Sequence, residues 1–332
     1  MKVVVVSEFR SGFEAALEAS YERAFHGQGH AVARVATYPA LAMFRHVPGC
    51  LAGAWPARLR QAEVCGLVEA QQPDLVVLVK GVGVLARSVG RWRAAGARVV
   101  NVFPDNPFEA AQTSHGGARL LELLRACNLV FVHDRFAVGQ LQQLGIASEF
   151  LAFARDPLLQ DRPRSASDGE APTLAFVGNP DPERIRYLRA IADLGLGLWG
   201  AWDWARLAPS DPLTACIRGG VVTGSDMARC LGHAKLSINI LRQSQKTAHN
   251  MRTFESPACG ACTVSERTNG VLELMEDERE VVTFSSPREL REVCLRLLAD
   301  DETRSAIAEA GWQRVKEDTY ARRAAQIVRR LG

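Results

Sequence analysis

The chain has 332 residues, of which 47% are hydrophobic and 23% charged, with a formal net charge of +3. That length exceeds one ordinary core and suits two domains of about 150 residues each, and the composition is that of a globular chain, not a disordered or fibrous one. The mild charge argues against a nucleic-acid footprint, no apolar run approaches the roughly 18 residues of a membrane span, and the opening MKVVVVSEF lacks the h-region and cleavage site of a signal peptide.

Residues 2–6 are a continuous β-branched run, the mark of a parallel strand covered on both faces. The spacing of Phe13, Ala16, Leu17, Tyr21 and Ala24 predicts a helix over 12–27, stopped by Gly27 and Gly29, and 31–35 resumes strand character. Residues 39–55 are irregular and are expected as a loop or short helix. A helix over 56–70 follows, then a strand over 75–79 ending at Lys80-Gly81, and a helix over 82–95. The next strand, 98–102, runs into Phe103-Pro104-Asp105-Asn106-Pro107. A helix over 118–126, a strand over 129–132 ending at His133, a helix over 136–144 and a short strand over 149–152 complete this half. Such alternation predicts a parallel sheet with right-handed crossovers.

Residues 155–172 mix Pro, Ser, Gly and charges without period, as an interdomain linker does. The pattern then restarts. A strand over 174–177 ends at Gly178-Asn179, an Arg-rich helix spans 182–194, and a strand spans 196–199. Trp199, Trp202 and Trp204 fall within six residues, suiting either a packed domain edge or a sugar-stacking surface. A helix over 226–231 and a strand over 236–239 precede a polar loop, 241–250. That loop runs into a short amphipathic helix carrying Arg252 and Glu255, a Cys259-Gly260 turn and a strand over 262–265. A helix over 270–276, a strand over 281–284, helices over 287–298 and 302–320 and a basic segment over 321–331 close the chain. The reading is a first domain at 1–155, a linker at 156–172, a second domain at 173–316, and a terminal helix at 317–332 packing back on the first. Both domains are Rossmann-like α/β units with parallel sheets, facing each other across a cleft.

Several chemistries are excluded by missing motifs. No G-x-G-x-x-G follows the first strand, and Lys80-Gly81-Val82-Gly83 lacks the third glycine, so dinucleotide binding of the Rossmann type is not expected. There is no phosphate-binding G-x-x-x-x-G-K-[ST] loop and no G-x-S-x-G elbow. Cys259 and Cys262 have CxxC spacing, but no second pair accompanies them and the histidines are dispersed. The eight cysteines therefore read as buried thiols of a reducing, cytoplasmic setting, with no metal site.

What remains is a strand-end site in the second half: Gly178, Asn179, Arg242, Lys246, Asn250, Arg252 and Glu255. Ligands of open α/β sheets collect at the carboxyl ends of strands. There Arg252 can pair with a phosphate and Glu255 can accept hydrogen bonds from ribose hydroxyls. The plainer readings are solvated loop cations for Arg242 and Lys246, and an i, i+3 surface ion pair for Arg252 and Glu255.

Asn250-Met251-Arg252-Thr253-Phe254-Glu255-Ser256-Pro257-Ala258-Cys259-Gly260 resembles the N-x-R-x-F-E-x-x-A-C-G motif of the CgeB-like (spore-maturation-protein-like) glycosyltransferases of GT-B fold, within glycosyl transferases group 1. Phe176-Val177-Gly178-Asn179, Glu280–Phe284, Ala308–Val315 and Asp318–Arg323 are similar to further stretches of that family, and Asp105-Asn106-Pro107 to its first-domain D-x-P turn. Position 247, where related retaining transferases carry a second glutamate, is Thr, and the usual His of the terminal motif is Asp318. The resemblance implies a metal-independent glycosyltransferase without cofactor. Its co-substrate would be a UDP- or dTDP-sugar bound by the second domain, with Glu255 on the donor ribose. The first domain would take a glycan, protein, lipid-linked or small-molecule acceptor chosen by loops such as 39–55 and 109–117, with at most peripheral membrane contact. For an inverting reaction the candidate bases are Asp105, then Glu8 and His133. The competing readings are a helix-capping acid for Asp105 and a satisfied strand-end histidine for His133. At the level of the whole chain, a nucleotide-sugar epimerase or hydrolase and a non-catalytic nucleotide-sugar binding protein stay open.

Overall fold

The computed structural model describes residues 1–8, 17–37, 54–112, 118–162 and 172–331. Residues 38–53 and 113–117, most of the two loops expected to choose the acceptor, lie outside the described residues, as does 163–171 of the expected linker. The chain divides into two compact units, Met1–Ala152 with Tyr320–Gly332, and Phe153–Thr319.

The first unit carries strands β1 (Lys2–Ser7), β2 (Ala31–Ala36), β3 (Leu75–Val79), β4 (Arg98–Phe103), β5 (Leu129–Val132) and β6 (Ser148–Phe150). Their order is β2-β1-β3-β4-β5-β6, and all pairings are parallel. The valine run of β1 is buried throughout, as a strand covered on both faces must be: Val3 to Val6 are at most 1% exposed. Helices α1 (Leu17–Gly27), α2 (Ala54–Ala70), α3 (Ala86–Ala94), α4 (Pro107–Gln112), α5 (Ala118–Ala126) and α6 (Arg135–Gln143) are interleaved with the strands. The short α4 is absent from the sequence reading. Its start is set by Asn106, whose Oδ1 accepts from Phe108 N at 2.9 Å and Glu109 N at 3.3 Å, followed by Pro at the first helical position.

The second unit carries β7 (Leu174–Val177), β8 (Leu196–Trp199), β9 (Ile217–Gly219), β10 (Leu236–Asn239), β11 (Cys262–Glu266) and β12 (Val282–Phe284), ordered β12-β11-β10-β7-β8-β9 and again parallel. Its helices are α7 (Pro182–Arg189), α8 (Gly224–Gly232), α9 (Arg252–Ala258), α10 (Asn269–Leu272), α11 (Pro287–Ala299) and α12 (Asp301–Val315). The edge strand β9 went unseen in the sequence, because Ile217-Arg218-Gly219 is too short to show a period. Trp202 belongs to the core, 1% exposed and edge-on to Phe176, so it offers no sugar-stacking face.

Two boundaries differ from expectation for identifiable reasons. The expected helix over 302–320 stops at Val315. There Arg155 draws the chain into an irregular turn, its guanidinium donating to Lys316 O at 2.8 and 3.1 Å and its N–H to Asp318 O at 2.9 Å. Arg155 to Arg162, the start of the expected linker, is thereby anchored in the second unit, with Asp156 and Gln160 buried and the Arg162 guanidinium 4.3 Å from the Trp312 ring centre. The chain then resumes as α13 (Tyr320–Arg329), which belongs to the first unit. It buries Tyr320, Ala324 and Ile327, stacks Tyr320 edge-on to Tyr21 and ties Arg323 Nε to Ala152 O at 2.9 Å.

Candidate functional site

Strand order places the crevice. From β7 the second sheet grows one way through β8 and β9 and the other way through β10, β11 and β12, so the direction of winding reverses between β7 and β10. At such a switch point the loops leaving the two strands part and open a crevice at the carboxyl edge. Val177-Gly178-Asn179 and Asn239-Ile240-Leu241-Arg242 bound it.

Gly178 and Gly200 make this edge compact. Gly200 has φ +148°, and a methyl group there would run into the Gly178 carbonyl, so two strand-end backbones touch where side chains cannot fit. Asn179 Oδ1 accepts from Ala201 N at 3.2 Å, locking the two turns together.

Arg184 lies across the crevice. Asp181 caps α7, its Oδ1 accepting from Glu183 N at 3.1 Å and Arg184 N at 3.0 Å. The Arg184 side chain then donates to Asn179 O at 3.0 Å and twice to Ile240 O, at 3.0 and 2.9 Å, bridging both strand ends. Burial pulls its guanidinium down to about 10, with Arg242 and Arg252 pressing the same way and Asp181 and Glu266 opposing; it remains charged at neutral pH.

The helix α9 supplies the pair singled out in the sequence. Arg252 Nε reaches back to Val177 O at 3.3 Å, and its terminal nitrogen pairs with Glu255 Oε2. The i, i+3 pairing of the plainer reading is present, but not on the surface: Glu255 is 3% exposed. A carboxylate that deep costs several kcal/mol to desolvate unless a cation answers it. Asn250, in contrast, is occupied by its own backbone and neighbours. Its side chain exchanges two hydrogen bonds with Asn239, at 3.1 and 2.8 Å, and accepts from Thr253 N, in the first turn of α9, at 3.2 Å. Behind α9, Cys259-Gly260 forms a Schellman turn. Ala261 N bonds to Ser256 O at 3.3 Å and Gly260 N to Pro257 O at 2.9 Å, with Gly260 at φ +79°. The two thiols of the CxxC are buried and protonated; burial drives Cys259 upward and Cys262 to about 12.

Lys246 is not a solvated loop cation. It pairs with Glu266 and, at 3.2 Å, with Glu183, and Glu266 also accepts from Leu241 N at 3.0 Å. Burial pulls the ammonium down, but the hydrogen bonds and charges of Glu266 and Glu183 outweigh that and hold it above the ordinary lysine range. Arg242 is exposed, and its side chain makes no hydrogen bond or ion pair among the described residues. Arg184 and Glu266 were missed in the sequence, although the signal was present: each stands at a strand end or in the first turn after one, the logic that selected Arg252.

In the first unit the proposed bases lie along another carboxyl edge. Asp105 follows β4 and pairs with Lys80 at 2.7 Å, the two side chains 41% and 37% exposed. It does not cap α4; Asn106 does. Glu8 follows β1 and is half-buried. His133 is 5% exposed with Nδ1 against the Leu151 carbonyl, and burial lowers it to about 3, only partly countered by that hydrogen bond and Asp105. It is neutral at pH 7 and a feeble base there.

Residues 184–329 match the family model described as glycosyl transferase-like. No curated protein matches the chain. Among solved structures, sucrose-phosphate synthase from Thermosynechococcus elongatus is similar with a TM-score of 0.72 at 14% identity, covering 99% of this chain and 98% of that one. Anabaena HepE in complex with UDP-glucose is similar with a TM-score of 0.70 at 15% identity, over 100% and 99% of the two chains. A Listeria monocytogenes structure described as a UDP-N-acetylglucosamine 2-epimerase is less similar, with a TM-score of 0.59 at 13% identity over 98% and 94%. The fold is that of GT-B glycosyltransferases, two Rossmann-like units with parallel six-stranded sheets.

Proposed function

We propose that the protein is a metal-independent glycosyltransferase of the CgeB-like group, moving a hexose from a nucleoside-diphosphate donor held by the second unit to an acceptor taken by the first. The observation that carries this reading is the cluster of Arg184, Arg242 and the Arg252–Glu255 pair at the switch point of the second sheet, inside the segment that matches a glycosyl transferase-like family. HepE, similar over its full length, was crystallised with UDP and with UDP-glucose, which favours UDP among the donors.

The chemistry follows from charge. As the glycosyl–phosphate bond breaks, the diphosphate gains negative charge. Guanidinium groups fixed in a partly dry crevice stabilise that charge without reorganising when it appears. Arg184 and Arg252 are held by strand-end carbonyls, and Arg242 is free to close on the phosphates. Glu255, paired with Arg252, accepts hydrogen bonds from the ribose hydroxyls. Lys246, already engaged by two carboxylates, orients the loop and contributes less to the phosphates than the sequence suggests. Asp105, the exposed carboxylate at the end of β4, takes the acceptor hydroxyl proton if the reaction inverts. His133 supports the edge and does not exchange protons.

The test is a thermal-shift panel of UDP, dTDP and GDP, followed by transfer assays. UDP is expected to raise Tm of the wild type, and Arg252→Ala and Glu255→Ala are each expected to raise the donor KM at least tenfold. No stabilisation by any of the three nucleotides would overturn the donor site. Release of free nucleotide and sugar with water alone, unaltered by acceptors, would favour the hydrolase or epimerase reading to which the Listeria likeness points.

A further inference from the structure

We infer that Lys80 is a positioning residue that aims the Asp105 carboxylate at the acceptor hydroxyl, an inference that rests on the transferase reading above. The turn after β3 contains three residues in the left-handed region: Lys80 at φ +65°, Gly81 at +78° and Gly83 at +80°. For glycine that conformation is free of strain; for a residue with a Cβ it is disfavoured. At two of the three positions the chain uses glycine, and Gly81 has a further reason, since a methyl there would press on the Asn101 amide and the Leu123 side chain, both at 3.0 Å. Position 80 keeps a lysine in the same strained region. Among non-glycine residues, backbone strain held at a carboxyl strand end is a mark of a functional constraint.

The strain is tied to a contact. Lys80 N bonds to Val102 O at 2.9 Å and the Lys80 carbonyl faces the Asn101 amide, so the backbone of this turn is clamped to the end of β4. Its side chain then reaches Asp105 Oδ2 at 2.7 Å, across the gap between the ends of β3 and β4. As a prop for the fold the pair is a poor use of strain, because an ion pair this exposed adds almost nothing to stability. A positioning role accounts for it better, since the ammonium fixes one carboxylate oxygen and leaves Oδ1 with no partner among the described residues. His133, from the end of β5, also feels the charge of Asp105, but its Nδ1 is held by the Leu151 carbonyl and it does not replace Lys80.

The experiment compares Lys80→Gly, Lys80→Met and Lys80→Arg with wild type, reading Tm, UDP stabilisation, kcat and donor KM. Lys80→Gly is expected to raise Tm, because strain is relieved, while lowering kcat at least tenfold with UDP stabilisation and donor KM unchanged. Lys80→Met is expected to lower kcat likewise with donor KM unchanged, and Lys80→Arg to restore kcat in part. A lower Tm for Lys80→Gly would make the pair a structural prop, and unaltered kcat in Lys80→Gly and Lys80→Met would remove Lys80 from the reaction; either outcome overturns the inference while UDP binding leaves the donor site standing. Wild type that neither binds UDP nor transfers sugar overturns the transferase reading and this inference with it.

Discussion

At the carboxyl edge of the second sheet Glu255 and Glu266 are 3% and 5% exposed and Arg184 is 8% exposed. At the same edge of the first sheet Lys80 and Asp105 keep 37% and 41% of their side-chain surface in water, and Phe136, in the first turn of α6, keeps 63% of its surface. The balance of charge differs too. The first unit holds 19 Lys and Arg against 12 Asp and Glu, the second 21 against 25. Buried charges are tolerable only in fixed, mutually satisfying pairs, so the second edge is a preset arrangement of charge. Among the described residues the first edge shows the partly exposed Lys80–Asp105 pair and the exposed Phe136. On the proposed function, the fixed arrangement meets the nucleoside diphosphate, and the more exposed one the acceptor.

The contrast can be broken experimentally at three points. Glu255→Ala removes the answer to a half-buried guanidinium, and such losses typically cost about 3 kcal/mol or more. Chemical denaturation of the second unit is expected to show it, whereas a change below about 1 kcal/mol would mean that the pair is solvated like that of Lys80 and Asp105. Gly200→Ala sets a methyl against the Gly178 carbonyl and is expected to cost about 2 kcal/mol or more, again in the second unit, with loss of UDP stabilisation; a neutral result would show that the two strand ends can separate.

The third test concerns the first unit and pH. His133 is depressed to about 3 by burial, against an ordinary value of 6.5. The unfolded chain therefore takes up a proton before the folded one as pH falls. Stability is full above about 6.5 and declines towards 3, by at most about 1.4 kcal/mol per pH unit for this group. Between pH 7 and 5.5 the wild type is expected to lose about 1 kcal/mol from this source, and His133→Asn to lose less over the same interval. Equal losses of stability by wild type and His133→Asn, in urea melts at the two pH values, would mean that the imidazole is hydrated in the folded protein.

The alternation of elements was legible because both sheets are buried on both faces. Runs such as Val3–Val6 and Leu75–Val79 have few other uses than a covered parallel strand. The elements that escaped notice are short. β9 has three residues and α4 six, and neither is long enough to impose a period. For the site, Arg252 and Glu255 were legible through a motif on one continuous stretch. Arg184 and Glu266 carry the same strand-end signal, but each comes from a different strand–helix unit and only the order of β7, β10 and β11 sets them side by side. Asn250 and Lys246 were legible as polar residues of a strand-end loop, but their partners were not: Asn239 and Glu266 occupy them, as no local spacing could reveal.

Local pattern along the chain was enough to specify two α/β units, the parallel character of their sheets and a charged helix start after β10, because hydrophobic period, glycine turns and strand-end polarity are local properties. Which charges meet was settled by the folded arrangement. The reversal of winding between β7 and β10 turned scattered cations into one crevice, and burial converted an ordinary i, i+3 pair into a fixed one. A left-handed lysine at the end of β3 acquired its meaning only when β4 delivered Asp105 beside it. Coulomb energy depends on distance and on the water that surrounds it, and neither is written along the chain.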